Sequence, residues 1–525
     1  MWRNCVQIRL LLNVGNIFIA FFVFVGCAQG VININEIPQS SLQPAQQIQS
    51  FEILQTHIGT IYSDEITKND GKSGALLIKD GSQALIHRAA LAKMAQKSIL
   101  LQSSIYRDEL SSRVLMRELW LAANRGVKVR LLIDDNGLDS DFSDIIALDS
   151  HPNIEVKIFN PYKNRSKFLR LPEMVYDFSR ISRRMHNKIF VVDDIALIIG
   201  GRNIADEYFD SKTEINFTDT DVIFIGPVAQ KAVENFNEYW VYERSIPAYL
   251  LPSKRNMKKY EKDISETIAT LENPREFEQY NRLVSEFVRN YNDKKFPILW
   301  GSATFIGDKP QKIEQERESS PIYDTLKEVF ALTKNDVYIA VSYLVPGKSS
   351  LALIDSLKNR GVQTYILTNS LASTDLLVVH SAWESYRKKF IKNGVKVYEY
   401  QYRGKKERSG LRGKLKNTNA SLHSKTIVFD ERITWVGSFN LDPRSVNLNT
   451  ESVVIFDNPQ FALALKQIIQ GQMREAWEVV DLDGKIHWRG YNNAGEYELH
   501  SRSPNASILL RVVNVLAKIL PEKQI

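Results

Sequence analysis

The sequence predicts an α/β protein built from two similar lobes that pack against each other. A short motif occurs twice, 237 residues apart, and strand-like segments recur around both copies. The chain has 525 residues and is 44% hydrophobic, which is enough for two sizeable cores. Helix-like and strand-like stretches alternate in both halves, so each lobe is expected to hold a central β-sheet flanked by helices.

The first copy of the motif is RRMHNKIFVVDDIALIIGGRN, residues 183–203. His186 and Lys188 begin a strand-like run, and side chains two residues apart on a strand lie on the same face. Asp193 and Asn203 follow them. Because a cation buried against an apolar sheet without a partner is costly, we expect negative charge opposite the lysine.

The second copy is SLHSKTIVFDERITWVGSFN, residues 421–440. Its matching positions lie 237 residues after those of the first copy: His423, Lys425, Asp430, Gly437 and Asn440. Chance recurrence of five spaced positions together with flanking strands is improbable. The repeat therefore predicts two lobes related by pseudo-two-fold symmetry, with both motifs brought together at one shared active site.

Strand-like segments flank the two motifs in the same order. The pairs are 98–106 with 336–344, 124–136 with 359–370, and 219–227 with 450–459. Aligning the last pair on the Ile-Phe and Pro residues that both share sets Asp219 opposite Glu451. These two carboxylates are therefore candidates for equivalent roles in the two lobes.

The chain divides into six predicted segments. They are a lipoprotein-like signal peptide (1–27), an N-terminal tether (28–70), lobe 1 (71–250), an inter-lobe helical connection (251–300), lobe 2 (301–480) and a C-terminal tail with an amphipathic helix (481–525). The connection is charged and favours helix, and the stretch NEIPQSSLQPAQQIQS, residues 35–50, has the composition of a tether.

The N-terminus has the pattern of a secretory signal. Arg3 and Arg9 precede an apolar run over residues 10–26, and Cys27 follows directly, as in a bacterial lipoprotein whose cysteine becomes lipidated. The only other cysteine is Cys5, so cleavage would leave a single, lipid-bearing thiol and no disulfide or cysteine-bound metal. The alternative is an uncleaved anchor, although a run of 17 residues with two asparagines is short for a span.

Charge and the C-terminus point to anionic partners. The net charge is +7 with a pI of about 9.0, which favours anions without choosing between nucleic acid and phospholipid. The basic run 403–416 carries seven cations that could gather such anions or form a solvated loop. Residues 503–525 place a broad apolar stripe opposite Arg511, Asn514 and Lys518, so this helix could lie in a membrane interface or pack on a lobe.

Two such motifs around one space form a receptor for a tetrahedral phosphodiester. Lys188 and Lys425 would neutralise the non-bridging oxygens, and three side chains would donate hydrogen bonds to them: Asn203, Asn440 and Ser438. One imidazole can attack phosphorus and form a phosphohistidine, and the opposite one can protonate the leaving alcohol and then activate the incoming hydroxyl.

Each imidazole needs a fixed tautomer, which a carboxylate on its other nitrogen supplies. Glu451 and Asp219 are the candidates for this role. The lysines supply the positive charge, so no metal or other cofactor is required, and the sequence has no metal-binding spacing such as HExxH.

The duplicated HxKxxxxD followed by G(G/S)xN resembles the phospholipase D superfamily. Longer stretches, among them GGRNIADEYFD and SLHSKTIVFDERITWVGSFNLDPRSVNLNTE, resemble bacterial cardiolipin synthases of the C type over about residues 50 to 525. The resemblance implies two phospholipase D-type lobes with one site that contains both histidines and both lysines. It also implies His186 as nucleophile, His423 as acid and base, and largely structural roles for Asp193 and Asp430.

The function expected from this resemblance is transfer of a phosphatidyl group to phosphatidylglycerol, which makes cardiolipin. The second phospholipid would be phosphatidylglycerol itself or phosphatidylethanolamine. Entry of water instead would make the protein a phospholipase D that releases phosphatidic acid. A nuclease-type phosphodiesterase and a lipid-binding lipoprotein without turnover are further alternatives, but nucleic acid is not the expected partner. We expect the protein at a membrane surface of the bacterial cell envelope, lipid-anchored and facing the periplasm, or else held by an uncleaved inner-membrane anchor.

Overall fold

The computed structural model describes residues 43–44, 50–138, 143–164, 167–251, 257–315, 320–401, 407–410, 413–416, 419–492 and 494–519. Within these ranges the strands are β1 Ser73–Ile78, β2 Ser98–Ser103, β3 Lys128–Asp134, β4 Ile154–Phe159, β5 Ile189–Val192, β6 Ala196–Gly200, β7 Ile215–Thr218, β8 Asp221–Ile225, β9 Ser245–Pro247, β10 Leu299–Gly307, β11 Asp336–Val341, β12 Gln363–Asn369, β13 Lys396–Tyr400, β14 Glu407–Gly410, β15 Gly413–Lys416, β16 Asn419–Leu422, β17 Lys425–Phe429, β18 Ile433–Gly437, β19 Ser452–Asp457, β20 Trp477–Leu482, β21 Lys485–Tyr491 and β22 Tyr497–His500.

The α-helices of the same ranges are α1 Ser50–Ile53, α2 His57–Lys68, α3 Gly81–Met94, α4 Leu110–Asn124, α5 Ser143–Asp149, α6 Lys167–Tyr176, α7 Phe178–Ile181, α8 Val228–Trp240, α9 Met257–Glu272, α10 Glu278–Asn292, α11 Pro321–Leu332, α12 Gly347–Asn359, α13 Leu377–Lys392, α14 Pro443–Asn447, α15 Pro459–Arg474 and α16 Ile508–Ala517. Among these helices, none is long and apolar enough to cross a bilayer.

The strands of both lobes join in one long sheet. Outward from its centre, lobe 1 has the order β1-β8-β6-β5-β2-β3-β4-β9, and lobe 2 has β10-β19-β18-β17-β11-β12-β13-β20 followed by β21 and β22. The two halves meet where β1 pairs antiparallel with β10. In each lobe the strands β2-β3-β4 and β11-β12-β13 are parallel, and helices connect them. The predicted α/β fold with two duplicated lobes is confirmed.

Both faces of the motif strands are buried, each in a different core, which explains why these strands are apolar throughout. Along β5, Phe190 and Val192 pack into the outer core of lobe 1, whereas Ile189 and Val191 point to a core that both lobes share. This shared core includes Phe224 of lobe 1, whose ring lies 5.4 Å from that of Phe456 in lobe 2. Strands buried on both faces read as continuous hydrophobic runs, as the sequence does here.

Two backbone connections cross between the lobes beside the motifs. Strand β7 of lobe 1 pairs in parallel with β16 of lobe 2, so that Thr218 lies opposite Leu422. A single bridge also joins Met185 of lobe 1 to Thr450 of lobe 2. Each connection ends one residue before a motif histidine. Each histidine therefore directly follows a point where the backbones of the two lobes are paired.

Several segment boundaries differ from those expected from the sequence. Ile58 and Tyr62 of α2 are buried in the core of lobe 1, so the end of the expected tether belongs to that lobe. The connection is helical, and its α10 packs on α3. Strands β21 and β22, expected in the tail, extend the sheet of lobe 2 because their backbone pairs with β20. Cys27 and the signal segment lie outside the described residues, as does much of the basic run 403–416.

Candidate active site

The first motif histidine is held by the opposite lobe. The backbone N–H of His186 donates to the carbonyl oxygen of Thr450 at 2.9 Å. Its imidazole Nδ1 lies 2.9 Å from Glu451 Oε2 and 3.0 Å from Oε1. The imidazole is 18% exposed and the carboxylate is fully buried. A carboxylate of lobe 2 thus fixes the ring of a lobe 1 histidine.

The second histidine has the equivalent arrangement, with the roles of the two lobes exchanged. The N–H of His423 donates to the carbonyl oxygen of Thr218 at 2.8 Å, and its Nδ1 lies 2.9 Å from Asp219 Oδ2. Its side chain is only 5% exposed, and the rings of Tyr208 and Phe217 each lie 5.1 Å from it. Asp219 and Glu451 therefore make the contacts expected of orienting carboxylates, and each makes them across the lobe interface.

These contacts determine which ring nitrogen can do chemistry. A carboxylate accepts the hydrogen of Nδ1, and the lone pair of a neutral imidazole is then on Nε2. Nε2 is accordingly the atom of His186 and of His423 that can attack phosphorus or exchange a proton. This tautomer assignment follows from the hydrogen-bond partners.

Both motif lysines are buried beside the histidines. Lys188 Nζ donates to the carbonyl oxygen of His186 at 2.7 Å. Lys425 Nζ donates to the carbonyl oxygen of His423 at 2.6 Å and to Ser342 Oγ at 2.9 Å, and it lies within 3.4 Å of both ring nitrogens. Burial lowers the pKa of Lys188 from 10.5 to about 7 and that of Lys425 to about 8, against the opposing effect of nearby carboxylates.

The same burial and charges act on the imidazoles. Burial, followed by the charges of Lys425 and Lys188, holds the pKa of His423 well below its usual range. Burial also lowers the pKa of His186, although the neighbouring Glu451 opposes this effect. Both imidazoles are therefore neutral in the ligand-free protein near pH 7. A bound anionic phosphodiester would offset the lysine charges and make protonation of an imidazole easier.

Glu451 is held by several donors besides His186. Ser445 Oγ donates to Oε1 at 2.8 Å and Ser438 Oγ donates to Oε2 at 2.5 Å. Burial alone would raise the pKa of Glu451, but His186, Lys188 and Ser438 together lower it. Glu451 is consequently a carboxylate at neutral pH and can balance positive charge on His186.

The side chains predicted to bind phosphate are arranged differently from one another. Asn203 accepts from the N–H of Ile105 at 3.2 Å and donates to Tyr208 OH at 2.9 Å, so one amide hydrogen remains for a ligand. The amide oxygen of Asn440 accepts from Ser342 Oγ at 2.9 Å, which leaves the nitrogen as its donor. Both remain candidate phosphate donors.

Ser438 requires a correction. Its hydroxyl has one hydrogen, which it donates to Glu451, so it cannot donate to phosphate at the same time. Ser438 instead supports the carboxylate that orients His186. In lobe 1 the matching residue is Gly201, where a Cβ would lie 2.3 Å from Asp219 Oδ2 and 2.9 Å from the carbonyl oxygen of His423. Glycine is therefore the residue that leaves room for the second histidine pair.

The motif aspartates lie away from the imidazoles. Asp193 accepts hydrogen bonds from the backbone N–H groups of Gln96, Lys97 and Ser98 at 2.7 to 3.1 Å. Asp430 does the same for Lys334, Asn335 and Asp336 at 2.7 to 3.2 Å. Each carboxylate thus ties its hairpin to the start of the neighbouring strand, which is the structural role implied for it.

Other residues of the site were missed by sequence reasoning. Ser342 links Lys425 to Asn440, and its position at the end of the repeated segment 336–344 is a signal that could have identified it. Asp308 lies beneath the site, where its Oδ2 accepts from the N–H of Glu451 at 3.0 Å and from Lys312 at 2.7 Å. No sequence motif identifies Asp308 and Lys312, because Asp308 contacts Glu451, and Lys312 contacts Asp308, only once the chain has folded.

In the described part of the chain, no group of three or more His, Cys, Asp or Glu side chains is placed to hold a metal ion.

Comparison with known proteins gives consistent matches in both lobes. Residues 89–240 and 326–473 match the family model described as "Cardiolipin synthase, PLD-like domain". A Helicobacter pylori protein described as "Uncharacterized protein" is 42% identical over 515 residues, covering 97% of this chain and 99% of the relative. "Cardiolipin synthase C" of Escherichia coli is 36% identical over 470 residues, covering 87% of this chain and 96% of the relative.

A solved structure supports the same fold. The crystal structure of phosphatidylserine synthase from Haemophilus influenzae superposes with a TM-score of 0.53 at 14% identity, covering 79% of this chain and 90% of that chain. Two α/β lobes that each contribute one HxK motif define a phospholipase D-type enzyme. The chain belongs to the cardiolipin synthase, PLD-like family, so the resemblance stated from its motifs is confirmed.

Proposed function

We propose that the protein transfers a phosphatidyl group between phospholipids and makes cardiolipin from phosphatidylglycerol and a second phospholipid. The observation that carries this proposal is the reciprocal pairing of the two imidazoles, each with a carboxylate of the other lobe, beside two buried lysines. This arrangement offers two Nε2 atoms and two cations to one phosphodiester. The name of the Escherichia coli relative supports a phospholipid as the substrate class.

In the first half of the proposed reaction, Nε2 of His186 attacks phosphorus and an N–P bond forms. His423 first takes up a proton on Nε2 when the anionic substrate binds. The bond between phosphorus and the headgroup oxygen then breaks, and His423 gives this Nε2 proton to that oxygen. The headgroup alcohol leaves, and the phosphatidyl group stays on His186. Lys188 and Lys425 stabilise the negative charge on the non-bridging oxygens, and Glu451 stabilises the positive charge on His186.

In the second half, a hydroxyl of phosphatidylglycerol gives its proton to His423 and its oxygen attacks phosphorus. The N–P bond breaks, cardiolipin leaves, and both histidines return to their starting states. We assign the attack to His186 because the family usually uses its first histidine as nucleophile, and the greater exposure of this imidazole supports the assignment. Water in place of the lipid hydroxyl would give phosphatidic acid.

One assay tests the proposal. Purified protein receives labelled phosphatidylglycerol, alone and with phosphatidylethanolamine, and the products are separated. We expect cardiolipin, with free glycerol released when phosphatidylglycerol is the donor and ethanolamine when phosphatidylethanolamine is. Phosphatidic acid without cardiolipin would show that the protein is a phospholipase D and not a transferase. The absence of any lipid product would reject both activities.

We further propose that the protein works at a membrane of the bacterial cell envelope and is held there by lipid on Cys27. The support is the basic, apolar and cysteine-ending N-terminal pattern. The alternative, an uncleaved anchor over residues 10–26, gives the same membrane attachment without added acyl chains.

A further inference from the structure

The C-terminal helix α16 packs on lobe 2 with its polar side inward. Asn514 is 2% exposed, and its Nδ2 donates to Glu384 Oε2 of α13 at 2.9 Å. Lys518 forms an ion pair with the same carboxylate at 2.9 Å, and Arg511 donates to the carbonyl oxygen of Ser503 at 3.0 Å. Polar contacts thus fix the rotation of the helix about its axis.

The opposite side of α16 presents apolar side chains to solvent. Five residues of the helix, and Ile519 just after its end, are between 52% and 81% exposed: Ile508, Leu509, Val512, Val515, Leu516 and Ile519. With Val513 they cover an arc of about 160° at 100° per residue. Surface helices of globular proteins normally turn their apolar face to the core, so this helix has the reverse orientation.

A series of contacts links the helix to the candidate active site. Glu384 is about 10 Å along α13 from its first residue, Leu377, at a rise of 1.5 Å per residue. The loop just before α13 contains Asp375, which accepts from Tyr343 OH at 2.6 Å. The Tyr343 ring in turn lies 5.7 Å from Lys425 Nζ. The exposed apolar face is therefore connected to the phosphate-binding lysine through one short helix segment and one loop.

From these contacts we infer that the outward face of α16 inserts into the lipid bilayer that supplies the substrate. This inference rests on the proposed function. A bilayer fits better than a protein partner, because a ten-residue helix face is only about 15 Å long. Such a strip falls far short of the roughly 800 Å² per partner of a standard protein interface, whereas insertion into lipid has no such minimum.

The charge of the protein also favours a lipid bilayer as the partner of the outward face of α16. The net charge of the chain is +7. Two exposed cations lie near the helix in sequence or on its neighbour: Arg502, six residues before Ile508, and Lys388, one turn beyond Glu384 on α13, where its ammonium donates to the carbonyl oxygen of Gly484. An apolar face on a chain of net positive charge matches an interface rich in anionic phospholipid.

The first test measures depth in the membrane. Val512→Cys is made in the full chain with Cys5→Ser and Cys27→Ser, labelled with an environment-sensitive dye and reconstituted in phosphatidylglycerol–phosphatidylcholine vesicles with spin-labelled acyl chains. The matched control carries the dye at Leu332→Cys, because Leu332 is 75% exposed at the end of α11. Both variants carry the same N-terminal segment, so its contribution to vesicle attachment is equal and only the position of the dye differs.

We expect the acyl-chain spin labels to quench the dye at position 512 and not the dye at position 332. Equal, weak quenching at both positions would overturn the inference. A blue-shifted but unquenched dye at position 512 would also overturn it, since protein and not lipid would then cover the helix.

The second test links insertion to turnover. Leu509→Glu should lower turnover of vesicle lipid about tenfold, because a carboxylate replaces a side chain that enters the bilayer. Turnover of a short-chain, monomerically dissolved phosphatidylglycerol should stay within about twofold of the parent, since this substrate requires no docking. Leu332→Glu should change neither. A wild-type protein inactive on both substrates would reject the proposed function and leave the quenching result to decide the docking.

Discussion

At the residue scale, the two imidazoles have matching partners but unequal surroundings. His186 is 18% exposed and lies against a carboxylate with a lowered pKa. His423 is 5% exposed and lies against Asp219, whose pKa burial raises. A carboxylate with a lowered pKa stabilises a positively charged, phosphorylated imidazole better than one with a raised pKa. This difference supports His186 as the attacking residue.

His186→Ala and His423→Ala should each lower turnover by about a thousandfold or more, because the two residues act as a unit. Only the variant that keeps the nucleophile should trap a phosphatidyl-enzyme when it is offered a donor with a good leaving group. We therefore expect lipid label on the His423→Ala protein, detected by intact mass. Label on the His186→Ala protein alone would reverse the assignment.

The lowered lysine pKa values predict loss of substrate capture at alkaline pH. Ligand-free Lys188 and Lys425 lose their charge as the pH rises through about 7 and about 8. The value of kcat/KM should therefore fall as the pH rises from about 7 through about 8. The alkaline limb of kcat should lie at higher pH, because a bound phosphodiester stabilises the charged lysines.

Lys188→Arg is the matched control for this profile, since a guanidinium stays charged throughout the range. Its kcat/KM should be lower than that of the parent, but one step of the alkaline decline should disappear. A parent whose kcat/KM stays flat from pH 6 to about 10, close to the ordinary lysine pKa, would contradict the role of these lysines.

At the element scale, β7 and β16 are short strands whose pairing places a histidine. Their contact between lobes could not be predicted from sequence, because the pairing joins Ile215–Thr218 to residues 204 positions away. The β5–β6 and β17–β18 hairpins, in contrast, could be predicted from apolar runs around Asp193 and Asp430. Local pattern predicts a hairpin well, whereas a parallel pair formed across two lobes leaves no local signal.

The residue after β6 should tolerate no side chain. Gly201→Ala would place a Cβ 2.3 Å from Asp219 Oδ2, so we expect displacement of this carboxylate and about a hundredfold loss of turnover through His423. Gly471→Ala in α15 is the control, because its Cβ would meet nothing nearer than 3.6 Å. This control should keep activity and gain up to about 1 kcal/mol of stability. Equal activity of the two variants would contradict the packing described for Gly201.

At the scale of the whole molecule, the duplication made most of the fold predictable. Matching motifs and flanking segments predicted two lobes and the positions of both imidazoles, both lysines and the two orienting carboxylates. The role of Ser438 could not be predicted, because its choice between phosphate and Glu451 depends on a hydroxyl direction set by packing. The membership of β21 and β22 in lobe 2 was missed, since edge strands with half-exposed, polar residues resemble a tail.

The N-terminal prediction concerns where this whole molecule resides. Wild-type protein should incorporate a labelled fatty acid and have an intact mass that begins at Cys27, since two or more acyl chains give firm attachment. Cys27→Ser should leave an unprocessed, unlabelled precursor that still folds, because the position precedes both ranges that match the family model, 89–240 and 326–473. An unlabelled wild-type chain that starts at Met1 would exclude the lipoprotein and leave the uncleaved anchor.

The reciprocal exchange of carboxylates has a consequence for the ancestry of the chain. A lobe that must borrow the carboxylate for its histidine from a partner has no competent site alone, but two identical lobes related by a two-fold axis would complete each other. Such a homodimer satisfies every cross-lobe contact described for His186 and His423. Fusion of two such gene copies would free each half to diverge, and the difference between Gly201 and Ser438 is of the kind that divergence would produce. After fusion, a change at either carboxylate disables the histidine of the other half, so the halves can evolve only as a pair.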